Sequence, residues 1–457
     1  MYKFLAVLLI SLGMANSALS QRVSYPQLVN RSEMPQIFIN DIIVPNSDSS
    51  STLMFSFRFN NDFIPFRRIQ ASELQKAPAN SEFYSTLRFS AEVFEGKIKR
   101  RNTPGTNTAA RDTWTDTLYV ANFEDTQTNK KFTSGALTAK LTPGSYNYVL
   151  QLSMLQEINE RSTQRREIEI PALSKKNKGE IYLIDSVKEN SNGTEYVLIN
   201  MDDNIVFGKD FTALIRIPDY KQSKTYKAIV KKANGNKSAN DSTGSLFNSD
   251  ISSDSFIQNA SLSVNKNSEP ALILKKSGDF TFAVVKIPSR NFDNSGYTLT
   301  IKDSKSDSTV AERKFQTYWQ DMPASLYNLN IAIDMLKFIV SKDETERINR
   351  GSEKERERKF REFWEKRDPT PNTVYNELMA EYYRRIDYAY NEFGSQQEPM
   401  GHESDRGEVY IKFGPPNSKE RVFPPGGKTR ETWKYPNQTF VFEAVSGFGD
   451  FKLIGKQ

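Results

Sequence analysis

The strongest constraint on this chain is a change of hydrophobic period near residue 313. Before it, apolar residues alternate. In "TLMFSFRF", Leu53, Phe55, Phe57 and Phe59 fall on one face, and Met54, Ser56 and Arg58 on the other. That is the period of a half-buried strand. After it, in "LYNLNIAIDMLKFIV", Leu326, Leu329, Ile333, Leu336 and Val340 recur at helical spacing. A chain of 457 residues that makes this switch has room for about three domains, β-rich first and mixed last.

Two β-rich stretches precede the switch. In the first, over residues 21–175, "FYSTLRFSAEVFEG", "DTLYVANFE" and "REIEIPAL" alternate, and Pro143-Gly144 turns the chain into a strand whose Tyr146, Tyr148, Leu150 and Leu152 share a face. The run "LTPGSY" resembles the strand entry of bacterial immunoglobulin-like modules. A polar break, "SKKNKG" (174–179), leads to the second stretch, residues 176–312, with strands in "EIYLIDSV", "FTALIRIPDY", "DFTFAVVKIP" and "GYTLTIKD". Residues 233–255, rich in Ser, Asn and Asp, read as a loop. Its Asn236 and Asn240 are glycan acceptors by pattern, with a plain solvated loop as the other reading.

Beyond 313 the run "ETERINRGSEKERERKFREFWEKRD" reads as a helix with a solvated, ion-paired face. Pro369 and Pro371 interrupt it. Thr373 is placed to cap the next helix, whose stripe is Tyr375, Met379, Tyr382, Ile386, Ala389 and Phe393, with Gly394 at its end. The tail reads as short strands, "EVYIKFG", "ETWKY", "TFVFEAV" and "DFKLI", with residues 417–430 as a loop. The expected fold is mainly β with a C-terminal α+β domain. Two immunoglobulin-like β-sandwiches come first, and helices packed on a small antiparallel sheet follow over residues 313–457.

Residues 1–20 read as an export signal. Lys3 precedes the apolar run "FLAVLLISLGMA", which is too short to span a bilayer, and Ala18 and Ser20 suit cleavage before Gln21. No second apolar run follows, so no transmembrane span is expected in the mature chain, and a mean hydropathy of -0.62 excludes a polytopic membrane protein. The expected location is the periplasm, cell envelope or extracellular space. The chain has no cysteine, which excludes disulfides, thiolate chemistry and Cys-bearing zinc sites. Its 62 basic and 56 acidic residues are interspersed, so no nucleic-acid footprint is expected.

"FWEKRDPTPNTVYNELMAEYYRRIDYAYNEF", then "SDRGEVYIKFGPP", "ETWKY" and "GFGDFKLI", resembles the bacterial GWxTD-domain family over about a third of the chain. The resemblance implies an exported protein with β-rich, immunoglobulin-like regions ahead of this C-terminal domain, and it implies no activity. Gly401 and Asp405 stand in the places of the naming motif. His402 stands where the family has Trp, and Ser404 where it has Thr.

His402 is the single histidine, flanked by Glu403, Ser404 and Asp405. A triad needs a context that is missing here, since no G-x-S-x-G elbow precedes a helix. One imidazole is a poor start for zinc, and the acidic run "NMDDN" (200–204) lacks EF-hand spacing, so neither a metal nor a cofactor is expected. The expected role of Gly401, His402, Ser404, Asp405, Arg406 and Gly407 is structural, a turn locking the helices onto the sheet with His402 incidental to it. Arg406 or Arg367 is expected to bridge to a carboxylate. For binding, the sequence offers Arg421, Phe423, Lys428 and Arg430 in the 417–430 loop. The expected function is a non-catalytic binding or assembly factor for envelope proteins or wall polymer. The alternative is a carbohydrate- or peptidoglycan-active enzyme using Glu377, Glu381, Asp405 or Glu408.

Overall fold

The computed structural model of the chain describes residues 24–29 and 36–456, except 48, 71, 74–76, 99–106, 155–160, 173–177, 192, 234–244, 267–268, 397 and 446–448. The export segment expected over residues 1–20, Asn236, Asn240 and most of the 174–179 break lie outside the described residues. The chain divides into two compact units. One covers residues 34–321, and the other joins residues 322–457 to the segment Tyr25–Val29. The fold is mainly β, with helices gathered near the C-terminus ahead of a small sheet.

In the first unit, a three-stranded sheet pairs the strands Ile37–Ser47, Ser50–Asn60 and Phe132–Leu141. Leu53, Phe55, Phe57 and Phe59 pack against Leu87, Phe89, Tyr148 and Leu150 of a second sheet, closing one sandwich core. Each such side chain contributes roughly 1.5–3 kcal/mol on burial. A second core lies between two five-stranded sheets, where Phe211, Ala213 and Ile215 meet Tyr226, Val230, Leu299 and Phe315.

The Ser50–Asn60 strand departs from the half-buried reading. Every residue from Ser51 to Asn60 is buried. Its second face, through Met54 with Ile42, Val44 and Ala136, packs on Tyr182, Ile184, Leu214 and Leu272. A third core therefore unites the two expected sandwiches into one stacked unit. The alternation survived because the second face carries polar as well as apolar residues. The last strand of this unit, Thr309–Tyr318, also runs past the boundary expected at 312, burying Ala311 and Phe315.

In the second unit, the charged run is two helices, Lys342–Asn349 and Glu353–Glu365, rather than one. Gly351, at φ +106°, turns the chain between them, and Ser352 and Glu355 cap the second reciprocally. Its solvated face carries the expected pairs, Arg358–Glu362 and Arg361–Glu357 at 2.5 and 2.8 Å. The next helix is Glu377–Phe393, capped by Asn376 rather than Thr373: Asn376 accepts from the Met379 amide at 2.8 Å and donates to the Trp364 carbonyl at 2.9 Å. Tyr382, Tyr383, Ile386, Ala389 and Phe393 of this helix are buried. The closing sheet runs Ser418–Val422, Arg430–Lys434, Thr439–Ala444 and Phe451–Lys456, antiparallel throughout. Its Trp433, Phe440, Phe442 and Phe451 join the same core as the helices.

Two expectations fail here. Residues 408–414 form no strand: 408–413 belong to a helix, Asp405–Phe413, and Gly414 ends it. Val409 and Ile411 alternate like strand residues because this short helix buries more than one side, at 5% and 1% exposure. Residues 417–430 are not all loop, since Ser418–Val422 is an edge strand paired in register with Arg430–Lys434.

Candidate functional site

The segment Gly401–Gly407 joins the Glu377–Phe393 helix to the Asp405–Phe413 helix through a short 3-10 turn, Gly401–Glu403. Its two glycines permit backbone-to-backbone packing. A Cβ on Gly401 would lie 2.4 Å from the Ala389 carbonyl oxygen and the Gly394 nitrogen, and a Cβ on Gly407 would lie 2.1 Å from the Gly401 carbonyl oxygen. Ser404 caps the helix. Its hydroxyl donates to the Gly401 carbonyl at 2.7 Å and accepts from the Gly407 amide at 3.1 Å. Asp405, in the first turn where a helix favours an anion, accepts from the Leu453 amide at 2.6 Å and so ties the helix to the last strand.

His402 is fully buried, so it is not incidental to the turn. Its ring meets Tyr25 edge-on at 5.0 Å and lies 5.8 Å from Tyr390 and 6.3 Å from Phe338. Neither ring nitrogen has a hydrogen-bond partner. Burial pushes the imidazole down to about 4, against the pull of Glu403 and with the push of Lys337. At neutral pH it is an uncharged aromatic filler in the place where the family carries Trp.

Arg406 makes a bridge of a different kind from the one expected. It donates to the Gly449 carbonyl at 2.7 Å, lies over the Phe451 ring at 4.4 Å, and approaches the buried Glu431 only to 3.8 Å. Arg367, just past the end of the Glu353–Glu365 helix, folds back on it and donates to the Phe363 carbonyl at 2.8 Å. Glu431 is the carboxylate that the sequence reading missed. It accepts from Trp433 Nε1 at 2.6 Å and Arg421 Nε at 3.0 Å. Burial pushes its carboxyl up, and the hydrogen bonds from Arg421 and Trp433 with the charge of Arg406 more than offset this.

A second missed group is Asp387. It accepts from the Tyr25 hydroxyl at 2.6 Å and from the Ala324 amide at 2.7 Å. Burial pushes its carboxyl up to about 6 despite those hydrogen bonds. Asp387 shares a helix face with Tyr383 and Tyr390, and that placement was the available signal. Nothing local marks Tyr25, which reaches its partner across 362 residues of chain.

The other carboxylates of the enzyme alternative are engaged with neighbours. Glu381 pairs with Arg384 and Arg385 at 3.2 and 2.8 Å, Glu408 with Lys412 at 2.5 Å, and Glu377 accepts from Thr370. Among the described residues no group of three His, Cys, Asp or Glu is placed to hold a metal, and no helix is long and apolar enough to cross a membrane.

The four residues offered for binding have different surroundings. Arg421 lies in the edge strand and is committed to Glu431. Lys428 and Arg430 both face Glu443, at 3.8 and 3.0 Å. Phe423 stands apart at the hairpin tip, 72% exposed beside Val422 at 57%. The three basic residues therefore share two carboxylates, Glu431 and Glu443, while Phe423 and Val422 beside them stand open to solvent without a polar partner to satisfy.

The GWxTD domain model matches residues 296–449, from the strand Gly296–Asp303 to the turn before the last strand. No curated protein matches the chain.

Proposed function

The chain carries a C-terminal GWxTD domain, and on that premise we propose that it is an exported cell-envelope protein that binds or helps assemble other envelope components, proteins or wall polymer. One contrast supports this reading. The motif residues from Gly401 to Gly407 are occupied in holding the domain together, whereas the hairpin leaves Val422, the last residue of a paired strand, and the adjacent Phe423 open to solvent. A large exposed aromatic on such a support suits an interface anchor. The expected location remains the periplasm or outer surface, with the mature chain beginning near Gln21. Intact-mass analysis of the protein recovered from cells tests that start.

The binding reading is tested with Phe423→Ala combined with Val422→Thr. The variant is expected to lose co-purification with the components that the wild-type chain captures from envelope extract, with an unchanged melt. Unchanged capture contradicts the reading. Arg421 is left intact because its loss would remove the closest cation from the buried Glu431.

A further inference from the structure

The second face of the Ser50–Asn60 strand carries Ser56, Arg58 and Asn60 in a row, at 0%, 6% and 1% exposure. Arg58 Nε donates to Asn60 Oδ1 at 3.2 Å. Beyond that bond, Arg58 Nη2, Asn60 Nδ2 and Ser56 Oγ are buried without a hydrogen-bond partner. Among the described residues no carboxylate neutralises Arg58. Aromatic rings face it instead, with the Phe132 centroid at 3.7 Å and that of Phe38 at 5.8 Å. Burial pushes the guanidinium down to about 10, against a small opposing effect of Tyr318, so it is still a cation at neutral pH.

A buried cation with unpaired donors is costly unless a counter-charge meets it. The way in is visible. Phe132, which covers the guanidinium, is 45% exposed. With Asn61, Tyr119, Lys130 and Lys131 it lines a surface depression of about 380 Å³. The lysines pair with Asp321 and Asp125 at 3.5 and 2.6 Å, so the depression is not itself strongly charged. The free donors lie at Arg58 and Asn60.

We propose that Arg58 and Asn60, beneath the Phe132 ring, form a binding site for a compact oxyanion, a carboxylate or phosphate group entering from the depression beside Phe132. The planar guanidinium offers a fork that fits either group, and the amide of Asn60 supplies a neighbouring donor. Binding moves the Phe132 ring off the guanidinium and replaces its π face with a full negative charge. This site lies in the β unit and is independent of the hairpin reading.

The test is thermal unfolding of the mature full-length chain in chloride, acetate or inorganic phosphate at equal ionic strength. A further arm uses a short peptide ending in a free carboxylate and its amidated counterpart. Wild-type protein is expected to melt roughly 2 °C higher at ten times the half-saturating concentration of a binding anion. Response to phosphate or acetate alone points to a free oxyanion; response to the carboxylate peptide and not its amide points to a chain terminus or acidic side chain. Arg58→Met is expected to keep the basal melt and lose the response. Phe132→Ala is expected to lower the half-saturating concentration roughly tenfold, since the site no longer has to be uncovered. The proposal is overturned if wild type responds to none of the probes, or if Arg58→Met responds like wild type. Should Arg58→Met fail to fold, Phe132→Ala decides, and an unchanged or weaker response overturns the site.

Discussion

Two segments of the C-terminal unit, Gly401–Gly407 and the hairpin tip at Val422 and Phe423, invite opposite functional guesses and receive opposite structural answers. The first holds the histidine, a hydroxyl and two carboxylates, the usual parts of a reacting site. The fold takes up nearly all of them: two glycines for close backbone packing, a serine for a helix cap, an aspartate for a strand tie and the imidazole for an aromatic core. The second holds little that reacts, and its apolar side chains face solvent. A short polar motif can therefore be a joint. Residue types that suggest chemistry become informative only once burial and hydrogen bonding are counted.

The comparison can be broken most forcefully at the joint. Gly407→Ala places a Cβ 2.1 Å from a carbonyl oxygen that cannot swing away. It is expected to destabilise the C-terminal unit by more than about 4 kcal/mol, read by denaturant unfolding. His402→Ala is next, at about 2–4 kcal/mol for the cavity left in a closed aromatic cluster. That is larger than the cost of about 1 kcal/mol or less that a turn residue carries.

The same joint has a pH signature with two opposing parts. His402 has a folded pKa depressed to about 4, so its contribution to stability is present above its ordinary 6.5 and is lost as the pH falls through 4. Asp387 has a folded pKa raised to about 6, so its contribution is full below its ordinary 3.8 and is lost as the pH rises through 6. Between these limits the two slopes oppose each other. Relative to wild type, His402→Phe should shift the balance toward greater stability near pH 4.5 than near pH 7, and Asp387→Asn should shift it the other way. Unfolding curves at the two pH values check this, and parallel behaviour of the two variants would contradict it. The smallest expected effect is at the tip, where Phe423→Ala changes stability by no more than about 0.5 kcal/mol.

Much of the architecture was legible because it rests on local periodicity. The alternating Phe55, Phe57 and Phe59, the Tyr148–Leu152 strand and the stripe of the Glu377–Phe393 helix all form the elements that their spacing dictates. What failed depended on partners distant in sequence. Met54, Ser56 and Arg58 read as a solvent face, but a second sheet packs on Met54 and the Phe132 ring covers Arg58. Val409 and Ile411 mimic a strand because their helix is enclosed on more than one side, so no single stripe marks it. At the site, Ser404, Asp405 and the glycines were legible as structural residues. The burial of His402 was not, because part of its cage is Tyr25, at the far end of the chain. Arg421 looked like an interface residue because its partner, Glu431, lies across the hairpin.

If the joint is a packing device, the place where the family has Trp should accept any ring that fills it. The most direct measurement is the thermal melt of His402→Phe at pH 7 beside wild type and His402→Ala. Phenylalanine keeps the ring and removes two nitrogens that have no partner, a gain of about 1 kcal/mol, so the variant is expected to melt at or above wild type. A melt lowered to that of His402→Ala would show that the imidazole itself is required, and would contradict the structural role of the motif.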